Sequence, residues 1–136
     1  MVFVIKAEVR DQRAKTFKFT AQKTMYGGKN IANGDTVFIF ASENEGGPGL
    51  IARGVVSAAE SIAKKPGVAR QTPRVSVTLN GIEAAKRPLG RSDLKPFTNW
   101  KDGRPETELN FKFYRQATNK IAGVSDKTAA FLDDFF

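Results

Sequence analysis

The clearest hydrophobic pattern in the chain lies between Gly34 and Val56, where two short apolar runs flank a glycine-rich loop. The first run, Val37 to Ala41, reads Val-Phe-Ile-Phe-Ala, and the second, Leu50 to Val56, reads Leu-Ile-Ala-Arg-Gly-Val-Val. Both are too short for helices and rich in β-branched and aromatic residues, which predicts a pair of strands. In the first run Val37, Ile39 and Ala41 face one way and Phe38 and Phe40 the other, so a strand buried on both sides is expected. Gly54 lets another backbone or a ligand approach the second strand closely. Ser42, Glu43 and Arg53 fall near the loop end of the pair, which makes that end the first candidate for a site.

The same alternation continues elsewhere. Val2 to Val9 predicts a strand whose cleaner apolar face is Phe3, Ile5, Ala7 and Val9, while the opposite face turns polar at Lys6 and Glu8. Thr16 to Thr20 predicts a short strand with Phe17 and Phe19 together. Asn33-Gly34-Asp35 marks a turn. Ser57 to Lys65 is small, polar and weakly helical, and Lys64-Lys65-Pro66-Gly67 is a loop. Arg74 to Leu79 alternates as a half-exposed strand. Asn80-Gly81 then predicts a tight turn, with Ile82 to Lys86 as the returning strand. Ser92-Asp93-Leu94 reads as a short helical turn.

Pro105 to Thr118 fits two periods. As a helix it begins with Pro105, carries Glu106 and Glu108 at its positive end, and aligns Leu109, Phe113 and Ala117. As a strand it alternates Leu109, Phe111 and Phe113 with Asn110, Lys112 and Tyr114, and the strand is the expectation taken for Leu109 to Tyr114. On either reading Gln116 faces inward. Ser125 caps a last short helix, and Ala129, Phe131, Leu132, Phe135 and Phe136 dock it. Short strands dominate the order, which predicts an α+β, mostly β fold: a small barrel with short helices packed outside.

Composition narrows the chemistry. The 136 residues are expected to form a single domain spanning 1–136. There is no Cys and no His, which excludes thiolate nucleophiles, disulfides, Ser-His-Asp triads and the usual zinc sites. No cofactor is expected. Net charge is +8, and the excess is uneven: residues 1–90 hold 14 basic and 7 acidic side chains, residues 91–136 hold 8 and 7. A basic surplus favours an acidic partner, nucleic acid first. With no apolar run near ~20 residues and a charged N-terminal stretch, neither a membrane span nor a signal peptide is expected, and the cytoplasm is the expected location. Gly27-Gly28-Lys29 invites a phosphate-loop reading, but position 23, where the motif needs its first glycine, is Lys. Tyr26 and Lys29 remain candidates for touching a nucleic-acid backbone.

Three segments carry a wider resemblance: Gly34 to Glu43 (Gly-Asp-Thr-Val-Phe-Ile-Phe-Ala-Ser-Glu), Gly49 to Val56, and Phe113 to Ile121 (Phe-Tyr-Arg-Gln-Ala-Thr-Asn-Lys-Ile). In this order the chain resembles the EVE-type branch of the PUA-like superfamily. The usual Asn-Pro step near the C-terminal end appears here as Asn119-Lys120. The resemblance implies a PUA-like pseudobarrel of about five to six strands with flanking short helices. It also implies a nucleic-acid-binding module, in its sharpest form a reader of a modified, flipped-out base. Such a site needs a basic approach, a stacking face and an amide or hydroxyl for the base edge.

Trp100, Tyr114 and Phe40 are the candidates for stacking, against packing as ordinary core or lid. Ser42, Gln116 and Asn119 are candidates for edge reading, with Glu43 beside them. Arg53, Arg115 and Lys120 are candidates for phosphate. DNA or RNA is the expected partner, and the chain is expected to be a monomer or a homodimer. Two other readings stay open. Related ASCH-type domains imply a small hydrolase acting on a nucleoside or RNA, which here would need a lysine base with Ser or Thr and help from Glu43. The C-terminal aromatics would also suit a protein-interaction module.

Overall fold

The chain forms strands β1 (Val2–Ala7), β2 (Phe17–Met25), β3 (Thr36–Ala41), β4 (Gly49–Ser61), β5 (Arg74–Ala84) and β6 (Lys120–Gly123) in the computed structural model, which describes residues 1–136. Helices α1 (Arg91–Leu94), α2 (Pro105–Leu109) and α3 (Asp126–Asp133) join them, and α2 runs on into a π-helical segment, Asn110–Arg115. The strands close into a barrel in the order β1-β3-β4-β5-β2-β6. β1 and β3 are parallel, with Ala7 opposite Ala41, while β6 runs antiparallel to β1 and parallel to β2. The mostly β pseudobarrel with short flanking helices is therefore present, with six strands.

The period-2 pattern sorts the core into two parts. Phe3, Ile5, Val37, Ile39, Ala52, Val56, Val77 and Leu79 fill the barrel. Val4, Phe38, Phe40, Leu50 and Ala122 point outward instead and meet Leu94, Leu109, Phe113, Leu132 and Phe135 from the helical layer. β1 and β3 are thus buried on both faces, as the uninterrupted apolar run in β3 requires.

Three sequence expectations are overturned. Leu109 to Tyr114 is helical. Leu109 and Phe113, four residues apart, enter the outer core, whereas Phe111 turns the other way to meet Tyr26 and Trp100. Two separate apolar destinations produced the apparent alternation. Asn80-Gly81 is no hairpin turn: β5 runs through it, and the register against β4 shifts there. Asn80 donates to Ser57 Oγ (2.6 Å), and Thr16 donates to Asn80 Oδ1 (2.7 Å), so its side chain ties neighbouring strands together. At Gly54 another backbone does approach, as expected: a Cβ there would lie 3.2 Å from Asn80 O and 2.6 Å from Ile82 Cδ1. Ser57 to Ser61 continues β4 as strand, with the pairing reaching Ser61 opposite Val75.

The end of the chain docks as the apolar count suggested. Ser125 caps α3, accepting from Thr128 N–H (3.2 Å). Phe131 and Phe135 pack edge to face, and Arg87 and Arg53 lie over the Phe135 and Phe136 rings. No helix is long and apolar enough to cross a membrane.

Glu108 fastens α2 to α3. Its carboxylate accepts from Lys112 Nζ (2.6 Å), Ser125 Oγ (2.7 Å) and Thr128 Oγ1. Burial alone would raise its pKa, but these donors outweigh burial and hold it below the ordinary glutamate value. A depressed folded pKa means stability that is present above the unfolded value and lost as pH falls through the folded one. Glu108→Gln should therefore cost about 1–3 kcal/mol near neutral pH. The gap between parent and variant should close on acidification below pH ~4, as read by denaturant midpoints across a pH series.

Candidate nucleic-acid interface

β1 and β3 end, and β6 begins, at one mouth of the barrel. The π-helical segment delivers the chain to this mouth, and two lysines hold it there. Lys6 and Lys120 are paired across β1 and β6, with side chains 1% and 0% exposed by residue. Lys6 Nζ donates to Phe113 O (2.8 Å) and Ala117 O (3.0 Å). Lys120 Nζ donates to Lys112 O and to Gln116 O (2.9 Å). Carbonyls left over at a helix end thus meet ammonium donors, and the negative end of the helix favours the positive charge. Burial first, then the neighbouring Lys6 charge, lowers the Lys120 pKa to about 8. Burial also lowers Lys6, with Glu43 and Glu45 opposing.

Two cavities open beside this mouth. The first, about 300 Å³, is lined by Ala21, Gln22 and Lys23 of β2, Asn44 and Glu45 of the glycine-rich loop, Arg74, and Ala117 to Asn119. The second, about 360 Å³, is lined by Lys23, Arg74 and the loop between β4 and β5, including Lys64 and Lys65. Lys23 and Arg74 belong to both, so the cavities adjoin. None of the four cations forms an ion pair; Arg74 also donates to Ala21 O (2.7 Å). Ala21 sits at φ +50° where β2 slips register against β5, and this bulge bends β2 at the cavity. Asn119 Nδ2 donates to Glu45 Oε1 (3.2 Å), and Gln22 Nε2 to Thr20 O (3.0 Å). Both amide oxygens are left free to accept.

The nominated residues do not converge. Asn119 lines the first cavity, beside Glu45. Ser42 is 1% exposed; its backbone accepts from Gly47 N–H (2.8 Å) and donates to Ala7 O (2.8 Å), while its hydroxyl has no partner. Glu43 accepts from Tyr114 OH (3.0 and 3.1 Å) and from Arg91 N–H (2.6 Å). Burial, followed by the Glu43 charge, pushes the Tyr114 phenol far above its ordinary pKa, so it remains a donor to Glu43. Phe40 is fully buried and packs edge to face on Phe113 (5.1 Å), offering no face to a ligand. Gln116 is exposed rather than turned inward, and it is its backbone carbonyl that Lys120 holds.

Lys120 is spent on helix carbonyls rather than exposed to phosphate. Arg53 is likewise engaged, to Glu83 (2.9 Å) and Asp133 (2.8 Å), where it ties β4 to β5 and α3. Trp100 and Arg115 lie together outside both cavities: the Arg115 guanidinium sits 5.5 Å from the Trp100 ring centroid. Sequence reasoning missed Lys23, Lys64, Lys65 and Arg74 as a group. The signal that would have found them is the β4–β5 hairpin, which the Asn80-Gly81 reading displaced.

No protein-family model matches the chain, and no curated protein does. Solved structures match over nearly the whole length. The DUF55 domain of human thymocyte nuclear protein 1 is 13% identical, covering 96% of this chain and 95% of its own, with a TM-score of 0.64. A Pseudomonas putida protein is 13% identical over 99% of both chains, with a TM-score of 0.63. Human THYN1 protein in complex with DNA containing 5-methylcytosine is 14% identical, covering 96% and 94%, with a TM-score of 0.62. At such identity the likeness is one of fold. The fold is that of the DUF55 domain.

The lysine clamp makes a prediction with a definite sign. The folded Lys120 pKa, about 8, lies below the ordinary lysine value of 10.5. Between those values the folded chain has released a proton that the unfolded chain still holds, so stability rises with pH. A neutral amine keeps two N–H donors, enough for both carbonyls. The stability of the parent relative to Lys120→Met should grow from pH 7.5 to pH 10. Parallel denaturation profiles for the two proteins would refute this.

Proposed function

We propose that this chain binds nucleic acid at the barrel mouth, with the backbone along Lys23, Arg74, Lys64 and Lys65 and one base presented to the cavity at Asn119 and Gln22. The observation that carries the reading is the pair of adjoining cavities sharing Lys23 and Arg74, with four cations and no ion pair among them. Such cations release counterions when they meet phosphates. Free amide oxygens at Asn119 and Gln22 accept from an exocyclic amine, while their N–H groups already serve protein acceptors. The fold likeness to a domain crystallised with 5-methylcytosine DNA supports a modified base as the ligand, held out of the stack in the manner of base-flipping proteins.

A hydrolase reading finds less support. Glu43, its proposed acid–base group, is taken up by Tyr114 and Arg91 N–H, and the buried amines of Lys6 and Lys120 are committed to carbonyls. The C-terminal aromatics, which suggested a protein-interaction module, serve the outer core.

The test is a salt series on short DNA and RNA duplexes and single strands, with and without 5-methylcytosine. Lys23→Gln and Arg74→Gln should each flatten the plot of log affinity against log salt by about 0.7–0.9. Asn119→Ala should leave that slope alone and reduce discrimination between plain and modified base. Salt-independent binding, or none, would count against the proposal.

A further inference from the structure

The mouth cavity has no aromatic wall, yet the chain carries an exposed aromatic cluster elsewhere. Tyr26 is 37% and Trp100 41% exposed, and both meet Phe111 edge to face at 6.0 and 5.4 Å. Cations interleave with the rings: Arg115 lies 4.8 Å from the Phe111 centroid as well as over Trp100, and Lys112 lies 5.2 Å from that of Tyr26. An open groove of about 460 Å³ runs beside them, lined by Trp100, Phe111, Arg104, Lys127, Glu108 and Ser125 among others. That volume falls within the range of small-molecule sites.

The groove is electrostatically one-sided. Its carboxylate, Glu108, is neutralised by Lys112 and two hydroxyls, whereas Arg104 and Lys127 form no ion pair. Arg104 and Lys127 both line the groove, and the nearby exposed Asp102, its pKa lowered chiefly by the Arg104 backbone N–H and also by both charges, offsets them only in part. The Trp100 indole N–H donates to no protein acceptor. An exposed indole flanked by two free cations matches what an unpaired nucleotide requires: a π-face for the base and positive charge for the phosphate.

We infer that this groove is a second nucleic-acid contact, taking an unpaired base against Trp100 with its phosphate between Arg104 and Lys127. The inference rests on the nucleic-acid reading of the mouth and extends it. Arg115 stacks on Trp100, and Ala117 lines the mouth cavity. These residues are two apart, so their Cα atoms are separated by no more than about 7 Å. One strand passing over Arg115 to Asn119 therefore reaches both contacts.

Trp100 is the only tryptophan, so tryptophan emission, excited selectively over Tyr26 and Tyr114, comes from this groove. The probe is a single-stranded oligodeoxycytidylate of about ten nucleotides, whose bases carry the exocyclic amine the mouth requires and whose length is within the site sizes of single-strand binders. Binding should quench the emission. Trp100→Ala should weaken binding about ten-fold or more, and Trp100→Phe should retain most of it. Arg104→Gln and Lys127→Gln should each flatten the salt dependence by about 0.7. Unchanged emission, with Trp100→Ala binding like the parent while Lys23→Gln and Arg74→Gln are impaired, would overturn this inference and leave the mouth reading intact. Loss of binding in Trp100→Ala alone, with the Lys23 and Arg74 variants unimpaired, would keep the groove and overturn the mouth. No binding by the parent would overturn both.

Discussion

Two lysine side chains meeting four backbone carbonyls fix the geometry on which the candidate interface depends. The π-helical segment ends above the outer face of β1 and β6, where apolar neighbours supply no donors to its last carbonyls. Lys6 and Lys120 supply them, one from each strand, and the register that sets Lys6 opposite Lys120 brings the two ammonium groups to the same helix end. Burial disfavours both ammonium groups and lowers both pKa values, and the Lys6 charge adds to the lowering at Lys120. The carbonyl partners and the helix dipole offset that cost. Because the helix end is held, Ala117 to Asn119 enter β6 along a fixed path, and Asn119 is set at the mouth.

Charge in this protein divides between structure and surface. Glu43 joins the glycine-rich loop to the helical layer through Tyr114 and α1, Glu108 joins α2 to α3, and Arg53 joins β4, β5 and α3. These groups are consumed in holding elements together. The cations left without carboxylate partners at cavities include Lys23, Lys64, Lys65 and Arg74 at the mouth and Arg104 and Lys127 at the aromatic groove. A net charge of +8 says only that such residues are in excess; the pairing pattern says where the excess is available.

The fold was largely legible because period-2 alternation in β1, β3 and the first half of β4 is a local signal of burial, and Ser125 is a local signal of capping. What was misread involved partners distant in sequence. Lys6 alternates onto the outer face as expected, but what holds it in a buried position is the carbonyls of Phe113 and Ala117, 107 and 111 residues away. Asn80-Gly81 has turn composition, yet its carboxamide bonds across to Ser57 and Thr16 and keep the strand running. Phe111 and Phe113 look equivalent on a strand and serve different clusters on a helix. At the candidate mouth site the sequence pointed to cations and to Asn119, but not to which arginines and lysines line it, because ion pairing decides which of them are free.

The β4–β5 ribbon has a consequence of its own. From Ser57 to Ser61 every residue of β4 is exposed, and the loop beyond it carries Lys64, Lys65 and Arg70. That loop shares few apolar contacts with the barrel, so its length and composition are nearly decoupled from the energetics of folding. Evolution can therefore rewrite the tip residue by residue, retuning what the mouth attracts, while the closed sheet beneath it stays unaltered.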